Sequence, residues 1–282
     1  MKDMRAKKIQ DIARKLLKEK KVDIVIGFEK GTLPSSATPC FIRNPDQTDR
    51  LIWNSFCGNN LANYLPKRKD KIGIVAKGCD SRSIVVLIQE KQIKREQLYI
   101  IGVPCEGMIN KNNAPHDYCL ICEHKNPVIY DVLVGEKVKE SKKKDKYKEV
   151  EKFEKKSASD KWKYLESELS KCIRCNACRN ACPTCYCKEC FIDQEKPRWV
   201  GTTNNLSDII FFHLGRIFHQ AGRCTDCGAC VRACPMNIDF RQFTQKITKD
   251  AKTLFDYETG LDIDIKPPFT TFKEDDKQDF IK

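Results

Sequence analysis

The chain has 282 residues, 32% of them charged and 40% apolar, with a net charge of +13 and 17 cysteines. The length allows one large domain or two ordinary ones, and no apolar run approaches the length of a membrane span. The positive charge reads as lysine spread over helices and a linker. No stripe of arginine interleaved with aromatics marks a nucleic-acid surface, although the charge would suit docking on an acidic redox partner.

The N-terminal stretch MKDMRAKKIQDIARKLLKEKK is charged throughout and lacks the apolar core of a signal peptide, so a cytoplasmic protein is expected. Residues 3–20 read as an amphipathic helix, with Ile9, Ile12, Ala13, Leu16 and Leu17 on one face. VDIVIGF (22–28) is an apolar run suited to a buried strand, and GTLPSSATPC reads as turn. KIGIVAKGC (71–79) predicts a second strand ending in a corner. SIVVLIQEKQIKREQ (83–97) looks helical, LYIIGVPC (98–105) is a third strand ending in Pro-Cys, and PVIYDVLVGE (127–136) closes the domain. Strands alternating with helices predict an α/β domain with ligand groups at the strand ends. Residues 137–156, KVKESKKKDKYKEVEKFEKK, form a solvated, charge-rich tether, part helix and part linker. SASDKWKYLESELSK then begins a helix, with Ser157 or Ser159 as its cap.

Seventeen cysteines are too many for packing, and a reducing compartment argues against a disulfide framework. Most lie in tight two-residue spacings, which point to metal or iron–sulfur sites. CIRCNACRNACP supplies Cys172, Cys175, Cys178 and Cys182. CTDCGACVRACP supplies Cys224, Cys227, Cys230 and Cys234. Each run has the C-x2-C-x2-C-x3-C-P spacing of two-cluster ferredoxins, in which the fourth cysteine reaches the other cluster. One [4Fe–4S] cluster is therefore expected on Cys172, Cys175, Cys178 and Cys234, and a second on Cys224, Cys227, Cys230 and Cys182. Zinc knuckles would leave the third cysteine and the Cys-Pro unexplained.

Between the runs, LSDIIFFHLGRIFHQAG places Leu206, Ile209, Ile210, His213, Leu214 and Ile217 on one helical face. An α-helical ferredoxin is expected, with His213 and His219 as packing or hydrogen-bonding residues. In PTCYCKEC, Cys185, Cys187 and Cys190 either bind zinc or a further cluster with a distant ligand, line the cluster pocket, or face a partner. In the N-terminal half, Cys79 and Cys105 end predicted strands, and Cys119 and Cys122 form a C-x2-C pair. If parallel strands carry both corners, these four thiolates suffice for a third [4Fe–4S] cluster. A nucleophilic role for Cys79 needs a positioned base, and no histidine lies near it in sequence.

The succession KGCDSRSIVVLIQEKQIKREQLYIIGVPCEGM, then CLICEHKNPVIYDVLVGE, resembles the beta subunits of coenzyme F420-reducing hydrogenases and F420-dependent formate dehydrogenases. The whole chain resembles a branch in which a shortened beta-subunit domain is fused to a dicluster ferredoxin like the one in heterodisulfide reductases. The resemblance implies an α/β N-terminal domain (1–136) followed by an α-helical dicluster ferredoxin domain (159–245). A charged linker (137–158) would join them, and a tail (246–282) would dock partners. It implies a third cluster on Cys79, Cys105, Cys119 and Cys122 and FAD beside it, with Lys77, Arg82, Ser83 and Asn59 as candidate flavin-binding residues. The expected role is an electron-transfer subunit of a cytoplasmic anaerobic oxidoreductase. Its partners would be hydrogenase, formate dehydrogenase or heterodisulfide-reductase-like subunits, with ferredoxin a further candidate.

The Gly-Gly-x-x-Thr stretch near the flavin of the family that the chain resembles appears here as NSFCGNNLANYL, with no second glycine, which favours an alternative, a flavin-free iron–sulfur wire and docking scaffold. A zinc-rich module binding nucleic acid is a third reading, which a colourless, zinc-containing protein would support.

Overall fold

Four apolar runs of the N-terminal half become the parallel strands of one sheet. In the computed structural model, which describes residues 2–143, 146–198 and 200–268, this half runs α1 (Lys2–Lys18), β1 (Ile24–Lys30), β2 (Ala37–Ile42), β3 (Ile72–Ala76), α2 (Gly78–Gln89), β4 (Leu98–Gly102), α3 (Asp117–Leu120) and β5 (Val132–Leu133). The strand order is β2-β1-β3-β4-β5. β1, β3, β4 and β5 are parallel, and β2 lies antiparallel on the edge. Every residue of β3 is buried, as a parallel strand covered on both faces requires. α1 packs on β1 and β3 through Ile9, Ala13, Leu16 and Leu17.

Several expectations are corrected here. ATPCFI, read as part of a turn, is the edge strand β2, where Pro39 is tolerated because an edge position need not donate to a ladder. The helix expected at 83–97 starts at Gly78 and ends at Gln89, because Asp80 accepts the Lys77 backbone N–H at 2.8 Å and caps the first turn. Cys79 therefore sits in the first turn of a helix, not at a strand corner. Within PVIYDVLVGE, the stretch that closes the domain, Val132 and Leu133 pair with β4 as β5.

The second half is helical: α4 (Lys148–Glu154), α5 (Ala158–Leu169), α6 (Ala177–Asn180), α7 (Leu206–His219), α8 (Ala229–Ala233) and α9 (Arg241–Phe255). Ser157 caps α5 by accepting the Asp160 N–H at 3.1 Å. The helical part of the tether is α4. Val150 is buried, Phe153 packs edge-on against Tyr164 and Phe243, and Glu154 pairs with Lys246 and Lys249 of α9. α9 crosses residue 245, where the tail was expected to begin. The chain then folds back on the sheet half, with Tyr257 and Thr259 buried. The rest of the expected docking tail, residues 269–282, lies outside the described residues.

The halves meet along α2. Arg82 donates from Nε and Nη2 to the Thr259 carbonyl (3.0 and 2.6 Å), and Ser83 Oγ lies 3.2 Å from Thr225 Oγ1. Arg232 donates to the Tyr118 hydroxyl at 3.1 Å. At Gly228 the backbone takes φ +67°, and a Cβ there would come within 2.2 Å of the Tyr118 ring. Glycine is needed at that point for both the turn and the approach of the two halves.

Candidate metal centres

The two cysteine runs fold alike. Arg174 and Asp226, one residue before the second cysteine of each run, have φ +52° and +53°; Asn176 and Gly228, one residue after it, have +58° and +67°. These left-handed residues curl the chain round three sulfurs before a short helix, α6 or α8, carries the chain towards the fourth cysteine. The first sulfur of each run accepts a backbone N–H: Arg174 N to Cys172 Sγ at 3.3 Å and Asp226 N to Cys224 Sγ at 3.4 Å. α6 and α8 pack against each other, so each fourth cysteine is delivered to the other run.

Cys182 joins Cys224, Cys227 and Cys230 around one cavity of about 30 Å³. Cys172, Cys178 and Cys234 share the apolar cluster built on Leu165, Leu169, Ile209, Ile238 and Phe240, with Cys175 exposed at its margin. His213 is buried, stacks on Phe240 at 4.4 Å, and its Nε2 lies 3.4 Å from Cys172 Sγ. Burial, and then the charge of Arg216, push its pKa down to about 3, so the imidazole is neutral.

In the N-terminal half, Cys79 comes from α2, Cys105 from the loop after β4, Cys119 from α3 and Cys122 from just beyond it. All four line one cavity of about 40 Å³, and Cys227 lines it too. The Gly107 and Met108 backbone N–H groups donate to Cys105 and Cys119 Sγ, each at 3.4 Å. Burial pushes the Cys105 thiol up to about 12 and the Cys79 thiol well above its usual value. A metal must displace those protons to bind. Lys77, in the wall of the same cavity, supplies a counter-charge. Burial alone would lower its pKa, but the Asp80 and cysteine charges outweigh burial and raise it. Lys77 Nζ lies 2.8 Å from both Asp80 Oδ2 and the Asn59 carbonyl.

The four residues expected to hold a flavin all have partners within the protein. Lys77, Arg82 and Ser83 are buried. Lys77 is held by Asp80 and Asn59, Arg82 by Thr259, and Ser83 by Asn60 (2.9 Å) and Thr225. Asn59 contributes its carbonyl to Lys77. A separate cavity of about 360 Å³ lies beside Cys105, lined by Arg5, Trp53, Asn54, Ser55 and Glu106 among others.

A 4Fe-4S dicluster domain matches residues 168–238, a span that contains both cysteine runs. The F420-dependent formate dehydrogenase subunit beta of Methanocaldococcus jannaschii is 23% identical over 90% of this chain and 91% of its own length. The F420-dependent formate dehydrogenase 1 subunit beta of Methanococcus maripaludis is 25% identical over 88% of each chain. This chain is related to the F420-dependent formate dehydrogenase beta subunits. A chain in a solved structure titled as a xenon derivatization of the F420-reducing [NiFe] hydrogenase complex from Methanosarcina barkeri is also similar. It has a TM-score of 0.31 and 16% identity over 37% of this chain and 38% of that one, too slight to bear on the fold.

Sequence reasoning missed three residues around the centres. Tyr118 and Arg232, which close the joint, leave no local signal because they meet only in the fold. Arg216 does leave one: it stands three residues after His213 on the apolar stripe of α7, and it is 3% exposed.

Proposed function

We propose that this chain is an iron–sulfur electron-transfer subunit of an oxidoreductase complex, relaying single electrons between its two halves through three [4Fe–4S] sites. The observation that carries this reading is Cys227. It lines the cavity of Cys79, Cys105, Cys119 and Cys122 as well as that of Cys224, Cys230 and Cys182. When bound, such clusters supply one-electron transfer. The chain's own residues ligate, bury and set the spacing. Backbone N–H groups on the sulfurs and the neutral His213 beside Cys172 favour the reduced state, and Lys77 offsets thiolate charge.

Likeness to the formate dehydrogenase beta subunits makes formate dehydrogenase subunits the favoured partners; in this reading the complex is cytoplasmic and anaerobic, with hydrogenase or heterodisulfide-reductase-like subunits as the other candidates. No helix among the described residues is long and apolar enough to cross a membrane.

The burial of Lys77, Arg82 and Ser83 favours the flavin-free wire over the flavin-containing form. In the flavin-containing form the flavin would sit in the cavity beside Cys105, at the low end of small-molecule pocket volumes, roughly 300–1,000 Å³. Iron, acid-labile sulfide and flavin per chain, measured on protein purified without oxygen, test these readings. At least twelve irons, about four for each of three sites, are expected without stoichiometric flavin. One FAD per chain would restore the flavin reading, an iron content unchanged by Cys79→Ala would remove the third site, and a colourless zinc protein would overturn all three sites.

A further inference from the structure

Five cysteines remain outside the three sites, and they are of two kinds. Cys40 and Cys57 are 2% and 0% exposed inside the sheet half, and burial pushes their thiols up to about 12 and about 11. Such thiols behave as inert core residues. Cys185, Cys187 and Cys190 instead stand around a cavity of about 190 Å³ formed with the end of α7, and His219 lines the same cavity. None of these three cysteines lines the cavities of the other sites.

The charge around this cavity is one-sided. Arg179, Lys188, Arg216 and Arg223 line it; Arg179 is paired with Asp193, which also lines it, at 2.7 Å, and Arg223 with Glu90, leaving Lys188 and Arg216 as the lining cations without a carboxylate partner among the described residues. Arg216 donates from Nη2 to the Cys178 carbonyl at 2.9 Å. Its Nε and Nη1 are buried without a hydrogen-bond partner. A buried guanidinium with two unused donors calls for an anionic neighbour, and Arg216 lines both this cavity and that of Cys182, Cys224, Cys227 and Cys230, so it would serve the two together.

We propose that this cavity holds a fourth metal centre, of the iron–sulfur type, ligated by Cys185, Cys187, Cys190 and His219. The C-x-C-x2-C spacing brings three thiolates from one short loop, as each ferredoxin run does. The fourth donor has to come from another element, and α7 ends on it. Imidazole replaces thiolate on iron in known clusters. A cluster is favoured over a single zinc by spacing. Zinc gathers its ligand atoms tetrahedrally at about 2.3 Å from the metal. Among the described residues, the one trio of such donors already within 4.8 Å of one another is Glu123, His124 and Glu258. Lys146 and Lys252 occupy the carboxylates there. Among the described residues, the cysteines of this cavity form no such trio, and neither do those of the three other sites.

Such a centre carries net negative charge from three thiolates, which Arg216 and its cationic neighbours would meet. It would also be wired to the second ferredoxin site. Gln220 donates from Nε2 to Cys185 Sγ at 3.5 Å and accepts from Cys182 Sγ at 3.6 Å. Cys187 is exposed, so the centre would lie near the surface, as a side branch of the relay.

The test is a C187A/C190A variant of the full chain, purified without oxygen and compared with the parent for iron, zinc and acid-labile sulfide per chain. The expected result is a loss of about four irons and four sulfides, with zinc unchanged and the ferredoxin-site EPR signals retained. Unchanged iron, or loss of zinc in place of iron, overturns the proposal. A His219→Gln variant, changed at an exposed side chain, gives an independent readout. It is expected to alter or abolish the EPR signature that C187A/C190A removes; an unaltered signature overturns the role of His219.

Discussion

The two halves of this molecule assemble four-cysteine sites by opposite routes. In the helical half, each site takes three sulfurs from one loop of seven residues and a fourth from its twin. The local backbone, with its paired left-handed residues, does most of the work. In the sheet half, Cys79, Cys105, Cys119 and Cys122 come from a helix start, a loop after a strand, a short helix and the turn beyond it. Only the parallel pairing of β3 with β4, which sets Ala76 beside Gly102, brings the first two together. The helical sites should therefore tolerate damage to the global fold better than the sheet site.

The largest effect that would sharpen this contrast is on metal content. Cys79→Ala is expected to remove about four irons per chain while the EPR signals of the ferredoxin sites persist; loss of every signal would mean that the two halves do not load independently.

Lys77→Met comes next. It leaves Asp80 buried and without its cation, at a cost of about 3 kcal/mol. Reduced thermal stability and weaker iron retention at the Cys79 site are expected, and an unchanged melting temperature would refute the counter-charge role. Gly228→Ala acts at the joint. The left-handed φ costs about 1–2 kcal/mol, and the new methyl meets the Tyr118 ring. Separation of the halves is expected, read as faster proteolysis between them and loss of magnetic coupling between the Cys79 and Cys227 sites.

The smallest effect concerns the return of the chain after α9. Glu258 is held well below its ordinary value, chiefly by its hydrogen bond with His124 and then by Lys252 and Lys146, with burial opposing them. A carboxylate depressed in the folded state stabilises above its unfolded value of 4.5, and the contribution is lost as pH falls below it. Glu258→Gln is expected to cost about 1 kcal/mol near neutral pH, measured by hydrogen exchange in residues 251–260, with the difference from the parent shrinking towards low pH. A difference that grows on acidification would contradict this.

Much of the helical half was legible in residue order because its information is local. The spacing of Cys172 to Cys182 and of Cys224 to Cys234 names two sites and their crossed fourth ligands. The periodic apolar face names α7, and Ser157 marks the start of α5. In the sheet half, continuous apolar runs revealed β1, β3 and β4. The edge strand β2 stayed hidden behind its proline and hydroxyl residues, since what makes it a strand is the ladder to β1. The partners of the candidate flavin-binding residues were hidden for a related reason. Lys77, Arg82 and Ser83 have phosphate-binding chemistry, but Asp80, Thr225 and Thr259 claim them, and the latter two are more than 140 residues away.

By itself, then, the sequence determined the class of chemistry, since thiolate identity and spacing persist whatever the surrounding fold. Only the tertiary structure decided which distant cysteines share a cavity, that Cys227 belongs to two of them, and that Arg216 and His219 face Cys185, Cys187 and Cys190. Those relations depend on strand order and on how two helices cross, which burial and steric fit settle across the whole chain.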